Sequence, residues 1–210
     1  MARSFDGGGA RASCAAIVLV VCALACGCGP GVADYTRPSD ATAPIHAQPD
    51  AVTLVVMRAM WRSGEVTTIV DEQGTVLAQL AHHTHTVITL SPGAHELTAI
   101  AGDGYIFNAF RVDGVAGRVY YAYTANLGGP TIVMAARLDA TDEHHRWQHR
   151  EEHVSQTTRV ELDTARLDLL DAQLPLARRL ELVRQAHDRL EQHPEAIPEL
   201  SLAPDDGIVP

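Results

Sequence analysis

Between Ala51 and Leu138, short runs of β-branched and aromatic residues alternate with turn residues, and this pattern constrains the fold more than any other feature. The runs are Val52–Met57, Val66–Asp71, Thr75–Leu80, His85–Leu90, His95–Ala101, Tyr105–Val112, Arg118–Thr124 and Thr131–Leu138. Between them lie Ser63-Gly64, Gln73-Gly74, Ser91-Pro92-Gly93, Gly102-Asp103-Gly104, Asp113-Gly114 and Gly128-Gly129-Pro130. Strands spaced by about 8–12 residues, with turn chemistry between them, predict an antiparallel β-sandwich or small barrel.

Period-2 patterning makes the strands half-buried. Val119, Tyr121 and Tyr123 share one face of their run, and Arg118, Tyr120, Ala122 and Thr124 share the other. Ile132, Met134, Ala136 and Leu138 alternate with Thr131, Val133, Ala135 and Arg137 in the same way. Phe107, Phe110 and the tyrosines put aromatic mass in the second half of the domain. Core packing is the commoner use of such residues, and an aromatic binding face is the alternative.

The chain around this body is of a different kind. Arg3 and Arg11 flank a polar start, an apolar run follows from Ala15 to Ala25, and the run ends Ala23-Leu24-Ala25-Cys26. About eleven apolar residues are too few to span a bilayer comfortably, and the order of positive, apolar and small residues is that of an export signal. The last four residues resemble the lipobox of bacterial lipoproteins, with Ala23 where that pattern prefers Leu. The resemblance implies a diacylglycerol on the Cys26 thiol and anchorage to the membrane. Ordinary signal cleavage would cut the same bond and leave a secreted protein, and a retained anchor is a third reading. Gly27 stands where aspartate signals inner-membrane retention in such lipoproteins, so the resemblance implies an outer-membrane anchor facing the periplasm.

All four cysteines lie at or before Cys28, so the body has neither a disulfide framework nor a cysteine metal site. The formal net charge of -10 argues against nucleic acid, which needs a basic stripe, and against adhesion to anionic lipid by charge alone. From Gly29 to about Asp50 the chain is rich in Pro, Gly, Ala, Thr and Asp, which predicts a flexible tether over residues 26–50.

Two short motifs carry a further resemblance. Ser91-Pro92-Gly93-Ala94-His95-Glu96-Leu97 looks like the turn-and-strand of small envelope β-domains. Ala116-Gly117-Arg118-Val119-Tyr120-Tyr121 resembles the strand that follows it in the family called domain of unknown function 2846. That family is similar to PEGA and transthyretin-like modules and is often found on bacterial lipoproteins. The resemblance covers Ala51 to Leu138 and implies a shape without a reaction. In physical terms Pro92 fixes φ, Gly93 permits φ > 0, and Gly117 marks the entry to a central strand.

After Leu138 the pattern turns helical. Asp139-Ala140-Thr141-Asp142-Glu143 offers a cap and an acidic first turn. Helices are predicted over Asp142–Ala172 and Pro175–Gln192, as a hairpin or a kinked helix broken at Pro175. Leu162, Leu169, Leu176, Val183 and Leu190 recur in heptad register like a coiled-coil seam, and Arg179 interrupts a second row of Ala165, Ala172 and Ala186. Self-packing is favoured over a partner-binding coiled coil. Pro194, Pro198, Pro204 and Pro210 among acidic residues predict a loose tail over 193–210.

Histidines are the residues best placed for chemistry. His145, His149 and His153 fall at i, i+4 and i+8 on one predicted helical face, a spacing that can chelate zinc or copper. Arg146 and Arg150 oppose a cation there, and a solvated or packed face is the competing reading. His83 and His85 would share one face of a strand, beside His82, with an exposed polar loop as the competing reading. No G-x-S-x-G elbow, phosphate loop or defined carboxylate pair is present. The expectation is therefore a lipid-anchored envelope protein, without catalysis or a required cofactor, whose β-sandwich serves structure or binds another envelope protein. The alternative is a periplasmic divalent-metal binder.

Overall fold

A computed structural model of the chain describes residues 35–39, 44–58, 66–102, 104, 106–126, 131–135, 150–198 and 200–209, all within the compact unit Val32–Pro210. These residues form two β-sheets with a helical layer against one of them. The strands are β1 (Thr36–Pro38), β2 (Val52–Arg58), β3 (Thr67–Val70), β4 (Val76–Leu80), β5 (Thr84–Leu90) and β6 (Gly93–Ala101). They continue with β7 (Ile106–Gly114), β8 (Val119–Asn126), β9 (Thr131–Ala135), β10 (Thr158–Leu162) and β11 (Ser201–Leu202). The helices are α1 (Arg150–Ser155), α2 (Leu167–Gln173) and α3 (Leu176–Gln192).

One sheet has the order β1-β10-β5-β2-β8-β9 and the other β11-β7-β6-β3-β4. Most neighbours are antiparallel, while β2–β8, β10–β5 and β11–β7 are parallel. β2 lies between β5 and β8 and is buried along its whole length, which is why it reads as a nearly continuous apolar run. Its Val52, Leu54 and Val56 meet Leu97, Phe110, Tyr120 and Leu80 in the core between the sheets, while Val55 and Met57 face outward with Tyr123. The predicted split of the Val119–Tyr123 run is present: Tyr120 and Ala122 enter the core, and Val119, Tyr121 and Tyr123 line the opposite face. Gly93 has φ 115°, a conformation that needs glycine, and begins β6 directly after Pro92.

A second apolar layer forms on the outer face of the five-stranded sheet. Val70, Ile100, Phe107 and Ala109 meet Leu170, Leu174, Leu182, Ala186 and Leu190. The helical appendage therefore packs on the β-domain. Arg179 is buried, and its role is a clamp. Its Nε donates to the Gly74 carbonyl at 2.6 Å, and its Nη1 donates to the Leu174 carbonyl at 2.8 Å and to Asp171 Oδ1 at 2.5 Å. It holds α2, the Pro175 break and the β3–β4 turn together.

Three segments depart from the sequence reading. The helix predicted over Asp142–Ala172 is divided, because β10 pairs with β5 and with β1 and sends Val160 into the core. The alternation of Thr158, Val160 and Leu162 suits a strand once an edge is there to pair with. The tether predicted over residues 26–50 contains β1, whose Thr36, Arg37 and Pro38 align with Leu162, Glu161 and Val160. The tail predicted to be loose instead closes one end of the sandwich. Leu202 is buried in the core, and Ile208 exchanges two backbone hydrogen bonds of 2.9 Å with Val119. Tyr120 Oη accepts from the Val115 N–H at 2.9 Å and donates to the Pro204 carbonyl at 3.0 Å. Gly207 lies against that tyrosine so closely that a Cβ would come within 2.5 Å of the ring.

Candidate functional site

The described histidine with the most distinctive environment lies on the outer face of the six-stranded sheet. Met57 on β2 is aligned with His85 on β5 and with Tyr123 on β8, so the three side chains form one row across three strands. The segment containing α1 covers this row. Val154 packs on Val55, Met57 and Tyr123, and the His153 ring stands edge-on to Tyr123 with centroids 5.5 Å apart and planes at 88°. Two residues after α1, Thr157 places its hydroxyl 2.8 Å from His85 Nδ1.

The Thr157 hydroxyl also lies 2.9 Å from the His153 carbonyl and 3.0 Å from the Val154 carbonyl. A hydroxyl has one proton to donate. With that proton directed at the helix carbonyls, His85 Nδ1–H is the donor to Thr157 Oγ1, and Nε2 keeps its lone pair. His85 is 3% exposed. Burial, helped by the nearby positive charge of Arg159, lowers its pKa from 6.5 to about 4. The imidazole is therefore neutral at pH 7. Such a group can accept a proton, bind a ligand at Nε2 or act as an acid-sensitive buried contact.

The other histidines are placed differently. His83 lies in the turn before β5 with φ 57°, and its ring meets that of His82 edge-on at 5.7 Å. His83 and His85 therefore do not share a strand face as their spacing predicted, because β5 begins only at Thr84. Of the predicted metal-ligating set, His153 is on α1 against Tyr123, while His145 and His149 lie outside the described residues, as does Cys26. Among the described residues, no three His, Cys, Asp or Glu side chains converge in a way that could hold a metal ion. Among them too, no helix is long and apolar enough to cross a membrane.

A second polar cluster joins α3 to the five-stranded sheet. Arg111 on β7 donates from Nε to Glu96 Oε2 at 3.0 Å and from Nη2 to Glu191, while His187 Nδ1 lies 2.9 Å from Glu96 Oε1. The carboxylates push the Arg111 pKa above its ordinary value, Glu191 most strongly, and the guanidinium holds Glu191 below the usual carboxylate range. Nearby, Arg189 stacks over Phe107 at 4.1 Å. These contacts fix the helix on the sheet.

Comparison with protein-family models, with curated proteins and with solved structures finds no match for this chain.

Of the aromatic residues, Phe107, Phe110, Tyr120 and Tyr123 are buried, as the commoner sequence reading had it, while Tyr121 is partly exposed on the outer face of the six-stranded sheet. Thr157 and Arg58 were not distinguished in the sequence. Arg58 ends β2 inside the sandwich, where its Nη1 donates to Thr67 Oγ1 at 3.1 Å and to the Leu80 carbonyl at 3.0 Å. Its place in the inward series Val52, Leu54, Val56 was the available signal, since period 2 carries Arg58 to the same face.

Proposed function

We propose that this protein is a lipid-anchored component of a bacterial cell envelope, held in the outer membrane facing the periplasm, whose β-sandwich is a non-catalytic structural or interaction module. The observation that carries the reading is the apolar run ending Ala23-Leu24-Ala25-Cys26, followed by a body without a single cysteine. The likeness of the Pro92-Gly93 turn and the Tyr120-Tyr121 strand to envelope β-domains of the family called domain of unknown function 2846 supports it. With β1 beginning at Thr36, about ten residues separate a lipidated Cys26 from the first strand, a reach of at most about 35 Å.

Metabolic labelling with a fatty acid tests the anchor. The wild-type chain takes up label and partitions with membranes, and Cys26→Ser abolishes the label and releases the protein. Equal release of both proteins, with no label on either, overturns the proposal.

A further inference from the structure

We infer that the space between the β3–β4 edge of the five-stranded sheet and the helical layer is a binding site for a small uncharged molecule with an apolar ring and a hydrogen-bond donor. The cavity has a volume of about 250 Å³. An apolar cavity of about 150 Å³ accepts benzene, so this one has room for a ring with one or two small substituents. Leu170 and Leu174 of the helical layer, with Tyr35 just before β1, give it apolar walls, and among the described residues no charged side chain lines it.

Its polar lining is the Thr68–Gln79 pair, aligned across β3 and β4, together with Gln173 at the end of α2. Gln79 is 6% exposed, and its Nε2 donates to Thr68 Oγ1 at 3.4 Å. Its Oε1 is buried and has no hydrogen-bond partner. A buried amide oxygen without a donor is rare in folded proteins and calls for one. The 3.4 Å bond is long, and the terminal torsion of glutamine is soft, so the amide can turn its oxygen to a ligand without losing a good contact. An uncharged donor suits a lining whose described side chains are apolar or neutral and polar. The walls come from segments far apart in the chain, Tyr35 and Leu170–Leu174, so occupancy would link the start of the folded unit to its helical layer. This inference rests on the non-catalytic reading of the body and names the ligand class. It is separable from the anchor, since binding is measured without reference to Cys26.

Phenol and toluene are the test probes, nearly equal in shape and different in having a donor. The purified protein is titrated with each while the Gly102 backbone amide and the Gln79 side-chain amide are followed by NMR. Phenol is expected to shift both signals saturably and to bind about tenfold more tightly than toluene, the effect of one well-made hydrogen bond. Gln79→Leu is expected to bring the two affinities within about twofold of each other, since the donor then has no acceptor. Val66→Trp, which fills the lining, is expected to abolish both titrations. The inference is overturned if neither probe shifts these signals, if phenol and toluene bind equally to the wild type, or if Gln79→Leu keeps the preference. Should the variants fail to fold, the wild-type comparison of the two probes still decides.

Discussion

Acidification should unload stability through one residue, His85. Its folded-state pKa of about 4 lies below the 6.5 expected of a free imidazole, because the buried ring resists charge and Arg159 adds repulsion. The unfolded chain therefore binds a proton at this position at a higher pH than the folded protein does. The stabilisation is fully present above pH 6.5 and is lost as pH falls from 6.5 toward 4. The whole difference corresponds to up to about 3 kcal/mol, of which about 2 kcal/mol is lost by pH 5. The assay is urea unfolding at pH 7.5 and pH 5 for the wild type and for His85→Asn, whose amide nitrogen stands in for Nδ1 toward Thr157 Oγ1. Other titrating groups act on both proteins alike, so the difference of differences isolates His85. The wild type should lose about 2 kcal/mol more than the variant between the two conditions. An equal loss in both would refute the assignment of the buried, neutral imidazole as the acid-sensitive contact.

Other substitutions probe the packing. Arg179→Met leaves the Gly74 and Leu174 carbonyls without their donor and should cost about 2–4 kcal/mol in chemical denaturation. Asp171→Asn should cost under about 1 kcal/mol, because that carboxylate is 56% exposed. Leu182→Ala removes a fully buried side chain between α3 and the sheet and should lower stability by about 2–5 kcal/mol, read from the same unfolding curves. Tyr120→Phe breaks the contacts to Val115 and Pro204 and should cost about 1–3 kcal/mol. Hydrogen exchange should then show the Ile208 amide losing protection before the amides of β2, whereas unchanged Ile208 protection would show that the tail is held by other contacts.

Local pattern located the eight runs of the central body because each strand states its period in its own residues. Val119, Tyr121 and Tyr123 alternate with Tyr120 and Ala122, and the nearly continuous apolar run Val52–Met57 differs from the observed Val52–Arg58 by one residue. The short strands outside that body had no comparable signal. Thr36-Arg37-Pro38 reads as linker, and Ser201-Leu202 is too short to show any period. Thr158–Leu162 was masked by Leu162, which also fits the heptad of the helices beside it. Each of these becomes a strand because a neighbouring strand offers unpaired backbone groups.

The candidate site was legible only as residue types. His85 stood out as a histidine in a strand, but its partner Thr157 lies 72 residues away and has no special sequence context. Arg179 looked like a defect in an apolar row. Its hydrogen bonds reach Leu174, Asp171 and Gly74, and the last of these is 105 residues distant.

The sequence by itself determined the boundary between a start that holds all four cysteines and a cysteine-free body, the strands with their turns, and the helix beginning after Pro175. Those features depend on the chemistry of neighbouring residues. Tertiary structure alone decided that the helical layer covers the five-stranded sheet, that the tether and tail contribute strands, and that His85 is neutral beneath Thr157. Each of those depends on which groups leave water together, and that choice is made by surfaces brought into contact across distant parts of the chain.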